Sequence, residues 1–220
     1  MSTILALETA TEACSVALLI DNRLYERFVV APRQHAELIL MMIDALLTEA
    51  DIALTAVDAF AFGCGPGSFM GVRIAAGVVQ GLAFGVQRPV IPISTLQALA
   101  QTAYRETQAR QIMAGLDAHG GGIYWGAYRF NPAGFMEAVL HDRFSTVSAS
   151  TTALFPSEGG WLSVGDAWAV MSPLAGSQVK CDSYPHAGAV ATIAAEQYQL
   201  GIRLPPEQAL PMYLHDPHVK

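Results

Sequence analysis

The chain has 220 residues, enough for one large domain or two small lobes, and either can bury a real core. It is 52% hydrophobic and only 14% charged, against about 25% charged in ordinary globular domains, so its apolar excess needs a filled interior or cover from another protein. A net charge of −7 speaks against holding nucleic acid unaided, because phosphate binding relies on Lys and Arg, which a basic partner would have to supply.

Cys14, Cys64 and Cys181 are widely spaced and form no CxxC pair, which suits a reducing compartment and no zinc ribbon. The start MSTILALET carries Glu8 and no basic n-region, so it does not read as a signal peptide. The longest apolar run, Ile74 to Val86, is interrupted by Gln80 and is too short to span a bilayer. A soluble, cytoplasmic protein with no membrane contact is expected.

In chain order, Ile4 to Leu7 reads as a strand closing on Glu8-Thr9-Ala10-Thr11, Cys14 to Ile20 as a second, and Leu24 to Val30 as a third after the turn Asp21-Asn22. Short links make these an antiparallel meander, which Pro32 ends. A helix is predicted from about Arg33 to Ala50. From Ala36 to Leu47 its only polar residues are Glu37 and Asp44. Ile39, Met42, Ile43 and Leu46 form the core side, while Leu40 and Met41 are left on the Glu37–Asp44 side, flanked by Leu38 and Ala45. A helix apolar nearly all round is buried nearly all round, and a chain this small points to a partner as the cover. Met41 suits that role, since a flexible thioether adapts to a docking surface.

Next comes Ala59 to Phe62, a buried strand stopped at Gly63, then Gly65 and Gly67, then Ser68 as cap of a following helix. Val72, Ala75, Val79, Leu82 and Val86 make its core face, and Arg73, Gly77, Gly81 and Gly85 lie opposite at steps of four. Three helical glycines cost about 3 kcal/mol against alanine. Either another helix approaches so closely that side chains would obstruct it, or the helix frays near Gly85. Val90 to Ile93 is a further strand, and Ser94 caps a helix to about Tyr104. Three antiparallel strands followed by alternating strands and helices describe an RNase H-like α/β layer.

The second half begins again with a strand, Ile112 to Leu116, ending at Asp117, and Gly120-Gly121-Gly122 turns the chain into Ile123 to Phe130. Further strands are expected from Phe135 to about Arg143 and from Trp161 to Val164, and an alanine-rich helix from about Ala187 to Gln199. The proline-rich tail is expected to pack as an extended segment. The halves start alike, so we divide the chain into lobes at residues 1–106 and 107–220 with a cleft between them.

Several chemistries are conceivable at that cleft. Gly65-Pro66-Gly67-Ser68 before a helix could cradle a phosphate, or its glycines could serve only a tight packed turn. No Lys follows at Walker spacing and no GxGxxG is present. Ser68 lacks the flanking glycines of a nucleophile elbow, holding Pro66 and Met70 instead. Cys64 reads as an inert thiol. His35 has Ile39 where a metal-binding helix needs a second His, and His215 with His218 reads as a disordered tail. Glu8, with Thr9 beside it, and Asp117 each end a strand, so two acids could hold water or Mg²⁺ for a nucleotide, or could simply cap turns.

Leu7-Glu8-Thr9-Ala10-Thr11-Glu12-Ala13-Cys14-Ser15-Val16-Ala17-Leu18 and Gly65-Pro66-Gly67-Ser68-Phe69-Met70-Gly71-Val72-Arg73-Ile74 resemble the TsaB family, also called YeaZ. The likeness continues through Ser94-Thr95-Leu96, Leu116-Asp117-Ala118 and Pro211-Met212-Tyr213-Leu214. It implies an α/β, two-lobed actin-like or Hsp70-like fold built from two RNase H-like lobes. It also implies a non-catalytic subunit that binds and activates TsaD in threonylcarbamoylation of the adenosine next to the tRNA anticodon, with TsaE joining and tRNA reached only through the complex. The HxxxH metal helix of TsaD is broken here by Ile39, so no metal site and no catalytic residue is expected.

The resemblance puts the pairing surface on the first two helices, with Leu38, Met41, Ala45, Arg73, Gly77 and Gly81 as interface positions and a symmetric homodimer when the partner is missing. ATP or ADP with Mg²⁺ would sit at the partner interface or in the cleft near Glu8, Thr9, Gly65, Gly67, Ser68 and Asp117; no cofactor of the chain's own is expected. Met70, His119 and Gly121, and the ending Leu214-His215-Asp216, depart from the family's pattern. The competing reading is a nucleotide-hydrolysing enzyme or glycoprotease-like peptidase acting alone.

Overall fold

Alternation along the first strand sets the layers of the molecule. In the computed structural model, which describes residues 2–148, 151–156, 160–171 and 178–215, strand β1 (Thr3–Glu8) sends Leu5 and Leu7 to one side and Ile4 and Ala6 to the other. It pairs antiparallel with β2 (Ala13–Ile20), which pairs antiparallel with β3 (Arg23–Val30). Strands β4 (Ala59–Gly65) and β5 (Val90–Ser94) join on the other edge in parallel, giving the order β3-β2-β1-β4-β5. Parallel neighbours need a crossover, and helices α1 (His35–Ala50) and α2 (Phe69–Val86) supply it.

Both helices cover the Leu5–Leu7 side. Ile39, Ile43 and Leu46 of α1 and Ala75, Val79 and Ala83 of α2 share one core with Phe60 and Phe62. The second half repeats the plan, with β6 (Gln111–His119), β7 (Gly122–Phe130), β8 (Met136–Thr146), β9 (Leu162–Val164) and β10 (Gln178–Lys180) in the order β8-β7-β6-β9-β10. Its short helix α4 (Ala167–Val170) packs against Met113 and Trp125. The chain thus folds as two RNase H-like α/β lobes in the actin-like class.

The last two long helices cross between the lobes. Helix α3 (Thr95–Thr107) follows the first sheet but packs Leu96, Leu99, Ala100 and Ala103 on Ile112, Ala114 and Tyr128 of the second. Helix α5 (Ala187–Gln199) follows the second sheet and returns to Ile4, Ala6, Ala17, Ala59 and Ala61 of the first. Alanines on both sides let the helix lie close to the strands. A cut between residues 106 and 107 therefore separates the sheets in sequence but leaves α5 on the first one.

Some expected boundaries move. Helix α1 starts at His35 rather than Arg33, because Arg33 adopts a left-handed turn with φ 65°. Strand β4 does not stop at Gly63: it continues to Gly65 through an irregularity in its pairing with β5, where Gly63 sits against Glu8. Helix α2 does not fray at Gly85, since it runs to Val86 and ends on Gln87 in a left-handed cap, with the Arg88 N–H donating to Ala83 O at 2.9 Å. Starting at Phe69, its 18 residues are long and apolar enough to cross a membrane by length and composition, more than the run from Ile74 implied. Its inner side is nevertheless sealed on the sheet at Val72, Ala75, Val79 and Ala83.

The tail is extended only in part. Leu204 forms a two-way bridge with Val90, residues Pro206–Gln208 make a short 3₁₀ turn, and the Met212 N–H donates to Cys64 O at 2.7 Å. His215 stacks on Phe144, and Asp216 and His218 lie outside the described residues.

Candidate functional site

Two regions compete for function: the acids between the lobes and the outer face of α1 and α2. Glu8 ends β1 fully enclosed. Its Oε1 accepts the Ala10 N–H at 2.7 Å and its Oε2 accepts the Thr95 hydroxyl at 3.3 Å. Burial raises its pKa to about 7, against the opposing pull of those bonds. Gly63 is glycine because a methyl group there would overlap the Glu8 carboxylate.

The glycine loop folds onto the same corner. The Gly65 N–H donates to Thr95 Oγ1 at 3.2 Å, and the Ser68 N–H donates to Ala10 O at 2.7 Å. Ser68 Oγ accepts the Gly71 N–H at 3.4 Å, and the Thr9 hydroxyl donates to Gly71 O at 2.7 Å. A side chain at Gly67 or Gly71 would strike the backbone of Ala10 or Thr9. The N–H groups of Gly65, Ser68 and Gly71 are thus spent inside the protein, and the Met212 carbonyl lies 2.8 Å from where a methyl on Gly65 would stand. An acceptor oxygen in that place is unfavourable to an anion approaching Gly65.

Asp117 sits elsewhere. It accepts the His119 N–H at 2.8 Å, its own N–H donates to Asp166 Oδ1 at 2.8 Å, and the His119 ring lies 3.4 Å away. Both strand-end acids therefore hold the N–H two residues on, the turn-capping geometry. Next to Thr95 in sequence, Ser94 carries another acid: Asp142 of β8 accepts the hydroxyls of Ser94 and Tyr128. Burial raises the pKa of Asp142. Burial and the charges of Glu8 and Asp142 push the Cys64 thiol up to about 12, which leaves no thiolate for chemistry. Among the described residues no group of three or more His, Cys, Asp and Glu could hold a metal.

Asp142 and Tyr128 were missed in the sequence. The available signal was alternation: Met136, Ala138 and Phe144 fall at alternate positions of β8, and Asp142 is the acid set in the same series. An acid at an apolar position asks for a partner.

The outer face of α1 and α2 is open. Leu40 and Met41 are 56% and 60% exposed, with Leu38 and Ala45 half-buried at their flanks. On α2, Phe69 is 61% and Phe84 72% exposed, Gly77 and Gly81 lie between them, and Gly85 follows Phe84. A methyl added at any of these three glycines would meet nothing within 4 Å. Arg73 lies over the Phe69 ring at 3.2 Å. The six expected interface positions thus fall on one side of the first lobe. The expected cleft residues do not gather: Glu8, Thr9, Gly65, Gly67 and Ser68 share one corner and Asp117 lies with Asp166.

The family model described as TsaD, tRNA N6-adenosine threonylcarbamoyltransferase, matches residues 29–156. The tRNA threonylcarbamoyladenosine biosynthesis protein TsaB of Escherichia coli K12 is 38% identical over 228 aligned residues, covering 97% of this chain and 94% of that protein. TsaB of Haemophilus influenzae is 51% identical over 123 residues, 56% of this chain and 52% of that one. The solved structure of YeaZ from Pseudomonas aeruginosa superposes with a TM-score of 0.91 at 43% identity, over 97% of this chain and 100% of that one.

Proposed function

This chain belongs to the TsaB family and takes part in tRNA threonylcarbamoyladenosine biosynthesis, and we propose that it does so as a non-catalytic subunit that binds and activates TsaD. The observation that carries this reading is the uncovered face of α1 and α2. Leaving large apolar side chains such as Leu40, Met41 and Phe84 in water forgoes about 1.5–3 kcal/mol each. Three helical glycines add about 3 kcal/mol of lost helix preference. Nothing among the described residues returns either loss, whereas a partner helix lying against the glycine stripe returns both. Gly77 and Gly81 let that helix approach the α2 backbone, and Leu38, Met41 and Ala45 supply apolar contact from α1.

The inter-lobe acids fit a structural role. Their hydrogen-bond partners are side chains and N–H groups of this chain, so we place no chemical step on them. TsaE joins the pair, and tRNA is held by the assembled complex rather than by this acidic chain, in the cytoplasm. Without TsaD, two copies pair through the same helices.

Calorimetric titration of the full chain with TsaD tests this. Met41→Glu and Gly77→Leu are expected to lose binding while melting no lower than the unaltered chain. Unchanged affinity in both variants would sink the reading.

A further inference from the structure

Residues 209–215 cross from the first lobe to the second, anchored on each side. The Met212 N–H donates to Cys64 O at 2.7 Å in the first lobe. The His215 ring stacks on Phe144 of β8 in the second, with centroids 4.1 Å apart and planes within 7°. Tyr213 lies between these anchors and turns toward α2, its ring 6.1 Å from that of Phe69.

Arg73 stands one turn after Phe69 and is exposed. Its guanidinium carbon is 3.2 Å from the centre of the Phe69 ring and 5.3 Å from that of Tyr213. Two rings therefore hold one planar cation, and among the described residues Arg73 makes no ion pair. A guanidinium fixed this way keeps its N–H fork in position without further loss of side-chain freedom, and that fork matches a carboxylate in two parallel bonds.

We propose that Phe69, Arg73 and Tyr213 form a cradle for a carboxylate side chain of the protein that covers α2. This rests on the docking reading above and adds the C-terminal segment to the docking surface. The cradle continues directly into Met70 and Gly77, so an apolar protein surface would cover both at once. A nucleic-acid phosphate would leave that apolar surface in water. Phe, Arg and Tyr are also side chains able to anchor an interface when their surroundings are dry.

The test is calorimetry of the full chain with TsaD at low and high salt, with a thermal melt on each variant. Arg73→Glu is expected to weaken binding by about 100-fold and to abolish the salt dependence contributed by this contact. Arg73→Lys keeps the charge and loses the fork, for about tenfold. Tyr213→Ala is expected to cost about tenfold, and Tyr213→Phe, which keeps the ring, less than about twofold. The cradle is overturned if Arg73→Glu binds TsaD like the unaltered chain while Met41→Glu does not. It is equally overturned if the Arg73 variants alter only pairing between two copies of this chain, or only tRNA retention by the assembled complex. Failure of the unaltered chain to bind TsaD would strike the docking reading itself, and the cradle with it.

Discussion

Helices α2 and α5 lie on opposite faces of the same sheet, and both are rich in small residues. In α5 the reason is visible within the chain. Ala187, Ala189, Ala191 and Ala194 are fully buried on the sheet, and a methyl on Gly188 would stand 2.9 Å from the ends of Glu26 and Arg105. In α2, Gly77, Gly81 and Gly85 face open space. The same composition thus has two causes. In α5 the small residues mark a close approach within the chain, while in α2 no described part of the chain approaches the stripe, and the proposed docking would supply the approaching body from outside.

The largest effect that would break this contrast is at the docking face. Met41→Glu puts a carboxylate where the account expects an apolar contact, and should cost about 3–5 kcal/mol of association with TsaD. Titration would read this as a loss of roughly a hundredfold to a few thousandfold in affinity. A comparable substitution on the α5 side would instead unfold the lobe, since that surface is already filled.

Next in size is the sealed corner at Glu8, which sharpens the contrast by showing what enclosure does. Its pKa rises from 4.5 unfolded to about 7 folded, so the folded state holds the proton over that range. Stability is therefore full below pH 4.5, falls as pH rises towards 7, and is level above that, a loss of about 3 kcal/mol. Glu8→Gln should remove this slope and raise the melting temperature above pH 7. Denaturant titrations across that range would show it, and a slope that persists in the variant would contradict the assignment.

Glycine substitutions on α2 itself come third. Gly71→Ala would drive a methyl into the Thr9 backbone and should destabilise the fold by about 1–3 kcal/mol. Gly77→Ala meets nothing and should stabilise the isolated chain by roughly 1 kcal/mol, while weakening TsaD binding. Chemical denaturation of both variants would reveal opposite signs within one helix.

Smallest is the tie that seats α5. Glu26 of β3 accepts the Gly188 N–H at 2.7 Å and faces His186 at 3.5 Å. Burial alone would raise its pKa, but His186 and that N–H together hold it below the usual carboxylate value. A lowered folded pKa means this stabilisation is present above the unfolded value and disappears as pH falls through the folded one. Glu26→Gln should cost about 1 kcal/mol at neutral pH and little in acid, read by thermal melts at both.

Much of the open face of α1 and α2 was legible in the sequence because periodicity alone separates the two sides of a helix. Met41 and Leu40 could be assigned outward from Glu37 and Asp44, and Gly77 and Gly81 from Val72 and Val79. The repeat of strand order in the two halves was readable for the same reason. The inter-lobe corner was not. Glu8 and Asp117 could each have faced the cleft or capped a turn, and both cap turns; the acid on Ser94, next to Thr95, is Asp142, far along the chain on a strand whose pairing only the fold determines. The crossing of α3 and α5 between lobes, and the anchoring of Tyr213 beside Arg73, are likewise contacts over long sequence separations that no local pattern encodes.

Oxidative footprinting of Met41 and Met70, with and without TsaD, bears most directly on the uncovered face. Both thioethers are exposed in the single chain, at 60% and 62%, and should be modified readily at concentrations too low for two copies to pair. On saturating TsaD both are expected to become strongly protected, while Met113 and Met136, already buried, stay unmodified throughout. A stable complex in which Met41 and Met70 react as fast as in the free chain would mean that TsaD docks elsewhere, and the open face of α1 and α2 would have no such partner.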